Sequence, residues 1–296
     1  MMIIGATTTW NNCDIVAQFL RHSRKLGLDQ LLVMDFASDD GTQDLIRSGD
    51  WAGFVRQVSH PGIAELDSSN LFLDLIRREY PPGTICLFCD PDEFLVTPNM
   101  DIREAVRAGL PGGRGGCLIP RFNVTASRED AVKLQEELHP FGALRFRIVN
   151  RVRRNGLVDM HRASLTPPWI WSAIPGKVLV NAQDAIRIAD GDHSANLRGG
   201  EILRPVGSVY LLHYPFRKWR EFQDKISVAR IDMARSAHYA ANSGWQIRRW
   251  IRLADEGRLY EEYLEQFVEE TALAPALQQG RLVRDDQVRW FHHDLA

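Results

Sequence analysis

Short apolar runs alternate with segments of helical periodicity through the first third of the chain. Four runs are rich in strand-forming residues and have the length of buried strands; they are Met2–Ala6, Leu31–Met34, Gly53–Val58 and Thr84–Cys89. The helical segments between them end near Gly27, Arg47 and Tyr80. This β-α-β-α-β-α-β order predicts an α/β fold, Rossmann-like, with a mostly parallel central sheet flanked by helices. Ligands of such folds bind at the carboxyl ends of the strands.

The second part of the chain is less regular. Further strands are predicted at Cys117–Ile119, at Lys177–Val180 and at Val209–Leu212, which runs directly into His213. From Lys218 onward the pattern is mostly helical. The sequence therefore predicts a helical C-terminal region after the sheet-forming part.

Composition and charge narrow the class of protein. The chain has 296 residues, of which 45% are hydrophobic and 25% charged, as in ordinary soluble globular proteins. Its formal net charge of -2 gives no overall field that favours nucleic acid. The sequence holds no apolar stretch near the roughly 20 residues that cross a bilayer, and its start lacks the charged segment of a secretory signal. We therefore expect a cytoplasmic protein, at most in peripheral contact with the inner face of a membrane.

The four cysteines do not form a metal-binding set. Cys86 and Cys89 are separated by an odd number of positions on a predicted strand, so their side chains point to opposite faces. Cys13 and Cys117 are isolated in the sequence. We expect all four to be small buried hydrophobic residues.

An acidic tetrad follows the fourth predicted strand and carries the first chemical prediction. It reads Asp90-Pro91-Asp92-Glu93. Three carboxylates at the tip of a buried strand repel one another unless a cation neutralises them. Paired carboxylates hold Mg²⁺ or Mn²⁺ while leaving coordination positions for phosphate oxygens. The tetrad therefore predicts a metal-assisted diphosphate site.

Three motifs stand out in order along the chain: Asn11–Val16 with the later Asp35–Thr42 turn, Asp90–Leu95, and His213–Arg217. The second is similar to a D-x-D-E-F motif and the third to an H-Y-P-x-R motif. Together they resemble the family-2-type glycosyltransferases of the GT-A fold, especially the bacterial branch related to the family-92 enzymes. The resemblance spans roughly residues 2 to 265. It implies a GT-A-like domain over residues 1–215, with a nucleotide-binding half (about 1–97) and an acceptor half (about 98–215). Residues 216–296 would be a helical C-terminal extension.

The resemblance implies a hexosyltransferase that uses a nucleoside-diphosphate sugar of the UDP or GDP type. Asp92 would bind Mn²⁺ or Mg²⁺ directly, Asp90 would contact the ribose or the metal, and His213 would be a third ligand. The residues implied to contact the nucleotide sugar are Asn11, Asp35, Ser38, Asp40, Asn70, Asp90 and Arg217. For several of them an ordinary turn or helix cap is an equally simple explanation.

The acceptor side is less defined. An inverting transfer needs a carboxylate that takes the proton of the acceptor hydroxyl, and Asp192 is the first candidate, with Asp159 and Glu137 as rivals. His193 matches a G-x-H position of the family and is a candidate acceptor contact. Trp169 and Trp171 could stack against a sugar ring, or simply pack with their apolar neighbours. The acceptor itself would be a glycan or a lipid-linked glycan precursor.

Two other functions share some of these features. Trp10 and Asn12 stand where the family usually has arginine and glutamate. This departure would alter the contacts with the nucleotide-sugar donor. It leaves open a second function, that of a catalytically silent sugar- or nucleotide-binding module. A sugar nucleotidyltransferase would normally carry a glycine-rich loop with a basic residue after its first strand. The sequence Ala6-Thr7-Thr8-Thr9-Trp10 has neither.

Overall fold

The computed structural model describes residues 1–59, 67–136, 140–154, 165–201, 203–235 and 244–285. The strands are β1 (Ile3–Thr9), β2 (Gln30–Asp35), β3 (Val55–Gln57), β4 (Ile85–Phe88), β5 (Glu93–Val96), β6 (Gly116–Ile119), β7 (Arg121–Thr125), β8 (Phe146–Ile148), β9 (Lys177–Asn181), β10 (Ala185–Ile188), β11 (Ala195–Leu197), β12 (Arg204–Pro205), β13 (Tyr210–His213) and β14 (Leu282–Arg284). The helices are α1 (Val16–Lys25), α2 (Thr42–Arg47), α3 (Ser68–Glu79), α4 (Ile102–Gly109), α5 (Arg128–Lys133), α6 (Trp219–Arg235), α7 (Trp245–Asp255), α8 (Leu259–Leu264) and α9 (Glu270–Gln278).

The chain divides into two compact units. The first unit contains residues 1–121 and 174–213, and the second contains residues 122–173 and 214–296. The second unit is thus built from two separate stretches of chain. The domain boundaries expected from the sequence, near residues 97 and 215, remain a prediction.

A seven-stranded sheet forms the centre of the first unit, in the order β12-β6-β9-β4-β1-β2-β3. Strands β4, β1, β2 and β3 are mutually parallel, as are β12 and β6. Strand β9 runs antiparallel to both of its neighbours, β4 and β6. This arrangement confirms the predicted α/β class with a mostly parallel central sheet flanked by helices.

The core of the first unit explains why these runs are strands. Alternate residues of β1, Ile4 and Ala6, face a buried cluster that includes Phe72 and Ile76 of α3. Helix α1 packs elsewhere in the unit, where Phe19 meets Phe94 of β5 with ring centroids 6.2 Å apart. Because successive residues of these strands are apolar, helices can cover both faces of the sheet.

A second strand pairing fixes the position of His213. Strand β5, which begins at Glu93, runs antiparallel to β13, and Glu93 lies opposite His213 in this register. Directly opposed residues of an antiparallel pair have Cβ atoms about 4.5–5.5 Å apart. The acidic tetrad and His213 are therefore brought together although they are far apart in sequence.

The second unit contains paired strands and an aromatic core. Strand β8 pairs antiparallel with β7 and with β14. Phe222, Trp250 and Tyr263 form an aromatic cluster with Phe216, in which the ring centroids of Phe222 and Trp250 are 5.2 Å apart. The described residues after Lys218 are predominantly helical, as predicted, with β14 as an added strand.

The expectation for the cysteines was wrong at one position. Cys86, Cys89 and Cys117 are buried, but Cys13 is exposed. It lies in the loop between β1 and α1, beyond the end of the apolar strand, so nothing in its surroundings requires burial. In the part of the chain that the structure describes, none of the helices has the length and hydrophobicity of a membrane span.

Candidate active site

The carboxyl ends of β1, β2 and β4 lie at one edge of the central sheet, because these three strands are parallel neighbours. Asp35 is the last residue of β2, and the loops after β1 and β2 contain Asn11, Ser38 and Asp40; all four are predicted to contact the nucleotide. The acidic tetrad follows β4. The topology therefore places these predicted groups at the same edge.

Hydrogen bonds join the first two loops to each other. Ser38 Oγ donates to Asp35 Oδ1 at 2.5 Å and accepts a hydrogen bond from the backbone N–H of Asn11 at 2.9 Å. The side chain of Asn11 makes reciprocal bonds with Asp39, at 2.8 and 3.0 Å. These contacts give Asn11, Asp35 and Ser38 a clear role in holding the loops.

Asp40 caps the turn before α2. Its Oδ1 accepts hydrogen bonds from the hydroxyl and the backbone N–H of Thr42, at 2.6 and 3.0 Å, and its Oδ2 accepts one from the N–H of Cys13 at 3.0 Å. The pKa of Asp40 is lowered because these bonds stabilise the carboxylate more than partial burial disfavours it. The anion is therefore built into the loop.

The acidic tetrad forms a tight turn between β4 and β5. The backbone N–H of Glu93 donates to Asp90 O, and the N–H of Asp90 donates to Glu93 Oε2, both at 3.0 Å. Asp92 is 7% exposed, and its Oδ2 lies 3.8 Å from His213 Nε2. One ligating atom from each of Asp92, Glu93 and His213 lies within 4.8 Å of the other two.

Two buried cations balance part of this negative charge. Lys177 Nζ lies 2.8 Å from Asp90 Oδ2, 3.7 Å from Glu93 Oε2 and 3.5 Å from Asp192 Oδ2. Arg121 Nη1 forms an ion pair with Glu93 Oε1, and both side chains are buried. Four carboxylates and two cations leave a formal excess of two negative charges when all are ionised. The cluster therefore remains suited to one divalent cation, although protein side chains supply part of the neutralisation.

Antiparallel pairing explains how these cations reach the tetrad. Strand β9 begins at Lys177, and because it runs opposite to β4, its start lies beside the end of β4. It also runs opposite to β6, so Lys177 is paired with Ile119 at the end of that strand, two residues before Arg121. The ends of β4 and β6 and the start of β9 therefore meet at one point.

The pKa values in the cluster follow from burial opposed by charge. Burial raises the pKa of Glu93 to about 7, against the effect of Lys177 and Arg121. Burial also raises the pKa of Asp192, against Lys177 and a hydrogen bond from Ser69. For Lys177, burial lowers the pKa, but the three nearby carboxylates outweigh it and the net shift is upward. Lys177 is therefore a permanent cation at physiological pH.

Asp192 lies in a turn that is held from several sides. Its backbone has a φ of 60°, in the left-handed region that non-glycine residues rarely adopt. Its carboxylate accepts a hydrogen bond from Ser69 Oγ near the start of α3. Lys177 Nζ also donates to the carbonyl oxygen of Gly191, at 3.0 Å. A strained position supported in this way is typical of functional sites.

His193 and Asn70 brace the same turn. His193 Nδ1 lies 2.9 Å from the carbonyl oxygen of Gly176, to which it donates, so Nε2 carries the lone pair. Burial and the charges of Arg121 and Lys177 lower the pKa of His193 to about 4. Asn70 exchanges two hydrogen bonds with the backbone of Ile188, at 2.8 and 2.9 Å. These contacts give both residues a structural role, whatever they contact in a complex.

The oxygen and nitrogen donors of the cluster fit Mn²⁺ or Mg²⁺, with one restriction. Glu93 is already engaged by Arg121, by Lys177 and by the backbone N–H of Asp90. Asp92 and His213 are the pair whose carboxylate and imidazole suit a transition-metal ion such as Mn²⁺. Asp90 is turned toward Lys177, so its assignment as a direct ligand remains a prediction.

The remaining predicted residues lie in the second unit or outside the residues that the structure describes. Arg217 is buried and donates to the carbonyl oxygen of Tyr214 at 3.2 Å. Trp169 packs against Phe216 and Trp250, with centroids 5.7 and 5.5 Å away, and Arg281 covers the ring of Trp171 at 4.7 Å. Both tryptophans are 8% exposed, which favours the packing alternative over sugar stacking. Asp159 and Glu137, the rival bases, lie outside the described residues.

Sequence reasoning missed Lys177, Arg121 and Ser69. A signal for Lys177 was available, because lysine is rarely fully buried without a charged partner and this one opens the apolar run Val178–Val180. Arg121 offered a weaker signal, directly after Cys117–Pro120. Ser69 resembled an ordinary residue of a helix start, and only the tertiary contact with Asp192 distinguishes it.

Comparison with known proteins gives remote structural matches. No protein-family model and no curated protein sequence matches the chain. It is similar to the structure of S. aureus TarS 1-349, with a TM-score of 0.41 and 11% identity over 80% of this chain and 66% of that one. The complex of TarS 1-349 with UDP-GlcNAc matches with a TM-score of 0.34 and 15% identity, over 42% of this chain and 35% of that one. The chain thus spans less than two thirds of these structures, and matches at this level do not establish a substrate or a reaction.

Proposed function

We propose that this protein is a metal-dependent glycosyltransferase of the hexosyltransferase type. It would move a sugar from a nucleoside-diphosphate sugar to a glycan or lipid-linked acceptor, with inversion, in the cytoplasm. The observation that carries the proposal is the meeting of Asp92 and His213 beside the strand-end carboxylates. The ordered sequence motifs support the same function, because two of them supply Asp92 and His213.

Asp92 and His213 would hold Mn²⁺ or Mg²⁺ at this corner of the sheet. The bound ion would stabilise the negative charge that develops on the departing nucleoside diphosphate. Asp92 is suited to this role because its carboxylate is nearly buried and rigidly placed by the turn. The loops containing Asn11, Asp35 and Asp40 would lie along the nucleoside, at the edge where ligands of open α/β sheets bind.

Asp192 is the described carboxylate best placed to act as the general base. A base works best when its pKa lies nearer the working pH than that of a free carboxyl group, and burial raises the pKa of Asp192. Its backbone strain and the contacts from Ser69 and Lys177 hold it in one orientation. It would take the proton of the acceptor hydroxyl as the sugar is transferred.

Calorimetric titration with UDP and GDP, with and without Mn²⁺, tests the proposal. We expect at least one nucleotide to bind in an Mn²⁺-dependent manner, and Asp92→Asn to abolish that dependence. Asp74→Asn is the matched control, because Asp74 is an exposed residue on α3 whose ion partner is the neighbouring Arg77. Absence of Mn²⁺-dependent nucleotide binding in the wild type would contradict the proposal. Binding without turnover of any nucleotide sugar would indicate a silent binding module.

A further inference from the structure

We propose that Lys177 is a positioning residue of this site: its ammonium group holds Asp90 and Asp192 in place from one buried point between them. This role rests on the proposed function. It adds to the site a residue that belongs neither to the sequence motifs nor to the candidate metal ligands. It concerns the arrangement of the carboxylates before any ligand is bound.

The contacts of Lys177 show the arrangement. Its side chain is 1% exposed, and its Nζ lies 2.8 Å from Asp90 Oδ2, 3.0 Å from the carbonyl oxygen of Gly191 and 3.5 Å from Asp192 Oδ2. An ammonium group has three donors and no acceptor. All three can therefore be directed at the turn after β4 and at the turn that carries Asp192.

These two turns belong to separate parts of the chain. Asp90 follows β4, whereas Asp192 follows β10, and Lys177 opens β9 between them in sequence. The second turn is further tied to the start of β9 by the hydrogen bond between His193 and Gly176. Lys177 is thus the side chain that links the two carboxylates electrostatically, while Ser69 and His193 hold only the second turn.

Removal of the ammonium group would leave two buried or half-buried carboxylates facing one another. Like charges at short distance repel, and the turn at Asp192 already holds a strained backbone that needs support. We expect Asp192 to move away from its working position. A displacement of about 1 Å in a reacting group can lower the rate about 100-fold.

The test uses the whole chain, Mn²⁺ and whichever nucleotide sugar the wild type turns over. We expect Lys177→Ala to lower kcat about 100-fold while the KM for the donor changes much less. Ethylammonium chloride should restore activity at least about tenfold relative to NaCl at equal ionic strength, because it supplies the missing cation to the vacated space. Lys133→Ala is the control, since Lys133 is an exposed lysine paired with Asp130. Circular dichroism of the same samples checks the fold.

A second variant protects the test against misfolding of Lys177→Ala. Lys177→Met keeps the length of the side chain without its charge, and it is combined with Asp192→Asn in a double-mutant cycle. If Lys177 acts through Asp192, the double variant should be hardly slower than Asp192→Asn alone, because residues that act as a unit are non-additive. A purely structural lysine would give additive losses.

The outcomes separate this inference from the proposed function. A wild type that turns over a nucleotide sugar, with Lys177 variants within about threefold of it, overturns the positioning role and leaves the function standing. Additive losses in the cycle, or equal responses to ethylammonium and sodium, overturn it as well. A wild type with neither turnover nor metal-dependent nucleotide binding overturns the transfer function, and this role with it.

Discussion

Replacing Arg121 with methionine would test whether the buried charges are balanced as the structure indicates. Arg121 pairs with Glu93, and their side chains are 8% and 0% exposed. Breaking a buried pair by removing one partner typically costs about 3–5 kcal/mol of unfolding free energy. Here the cost is smaller, because Glu93 can take up a proton instead of remaining a buried, unpaired anion. One pH unit above its folded-state pKa of about 7 corresponds to about 1.4 kcal/mol, which with about 1 kcal/mol from lost hydrogen bonds and packing gives about 2.4 kcal/mol at pH 8.0. For a protein of 296 residues this is a decrease in Tm of about 4 °C.

The cost should depend on pH in a defined direction. Burial raises the pKa of Glu93 to about 7 in the folded protein, and Arg121 opposes that rise. Without Arg121 the folded-state pKa is higher still. In both proteins the stability that Glu93 contributes falls as the pH rises above the unfolded value of about 4.5, because the folded state keeps a proton that the unfolded chain releases. In the wild type this fall ends near pH 7, whereas in the variant it continues to higher pH, so the difference between the two proteins develops above about pH 7. At pH 5.5 Glu93 is protonated in both folded proteins, and only the lost hydrogen bonds and packing remain, about 1 kcal/mol.

Urea unfolding at pH 5.5 and pH 8.0, followed by circular dichroism, measures this difference. At each pH the unfolding free energy of the variant is compared with that of the wild type. The effects of groups that titrate in the same way in both proteins then cancel. The groups that face Glu93 are Lys177, Asp90, Asp92 and His213, in addition to Arg121. The control is Arg252→Met, because Arg252 pairs with Glu256 at the surface, where such a pair contributes about 0.3–0.5 kcal/mol at either pH.

An equal loss of stability at both pH values would refute this reasoning. It would show that Arg121 stabilises the fold by packing alone. A double variant with Glu93→Gln provides the second check, since the charge that Arg121 neutralises is then absent. We expect it to recover most of the stability lost at pH 8.0, because removal of both charges leaves no uncompensated ion in the core.

Three other outcomes follow from the structure. In the native protein at pH 7.5, Ellman's reagent should label one thiol, that of Cys13, and guanidinium should expose the other three, because they are buried and have raised pKa values. Gly176→Ala should lower the Tm measurably, since the added Cβ would lie 2.5 Å from the backbone oxygen of Ile119 and force β6 and β9 apart; an unchanged Tm would contradict this register. Asn70→Leu should lower the urea midpoint by the equivalent of about 1–3 kcal/mol, because it leaves the buried backbone groups of Ile188 without their partners; a neutral effect would show that water replaces them.

Several features of the site were predictable because they are local. The apolar run before Asp90 and the charges after it are adjacent in sequence, so the strand and its acidic turn could be inferred together. The same holds for Val209–Leu212 and the histidine that follows. What the local pattern could not supply was the partner of each strand, on which the approach of His213 to Asp92 depends.

Prediction of burial from residue type is wrong for both Cys13 and Lys177, in opposite directions, since Cys13 is exposed and Lys177 is buried. Cysteine is usually buried and lysine usually exposed, so composition alone misplaces both. Cys13 lies beyond the end of β1, in the loop before α1, where it is exposed. Lys177 is buried because two antiparallel neighbours and three carboxylates surround it. Burial in each case depends on residues far away in the sequence.

By itself, the sequence determined the first four strands with the helices between them, the α/β class and the acidic turn at the end of one buried strand. These follow from the periodicity of apolar residues over a few positions, which acts locally. Only the tertiary structure decided that β9 runs against β4 and β6. That reversal brings the ammonium of Lys177 to the carboxylates, because in a parallel arrangement the start of β9 would lie at the opposite edge of the sheet.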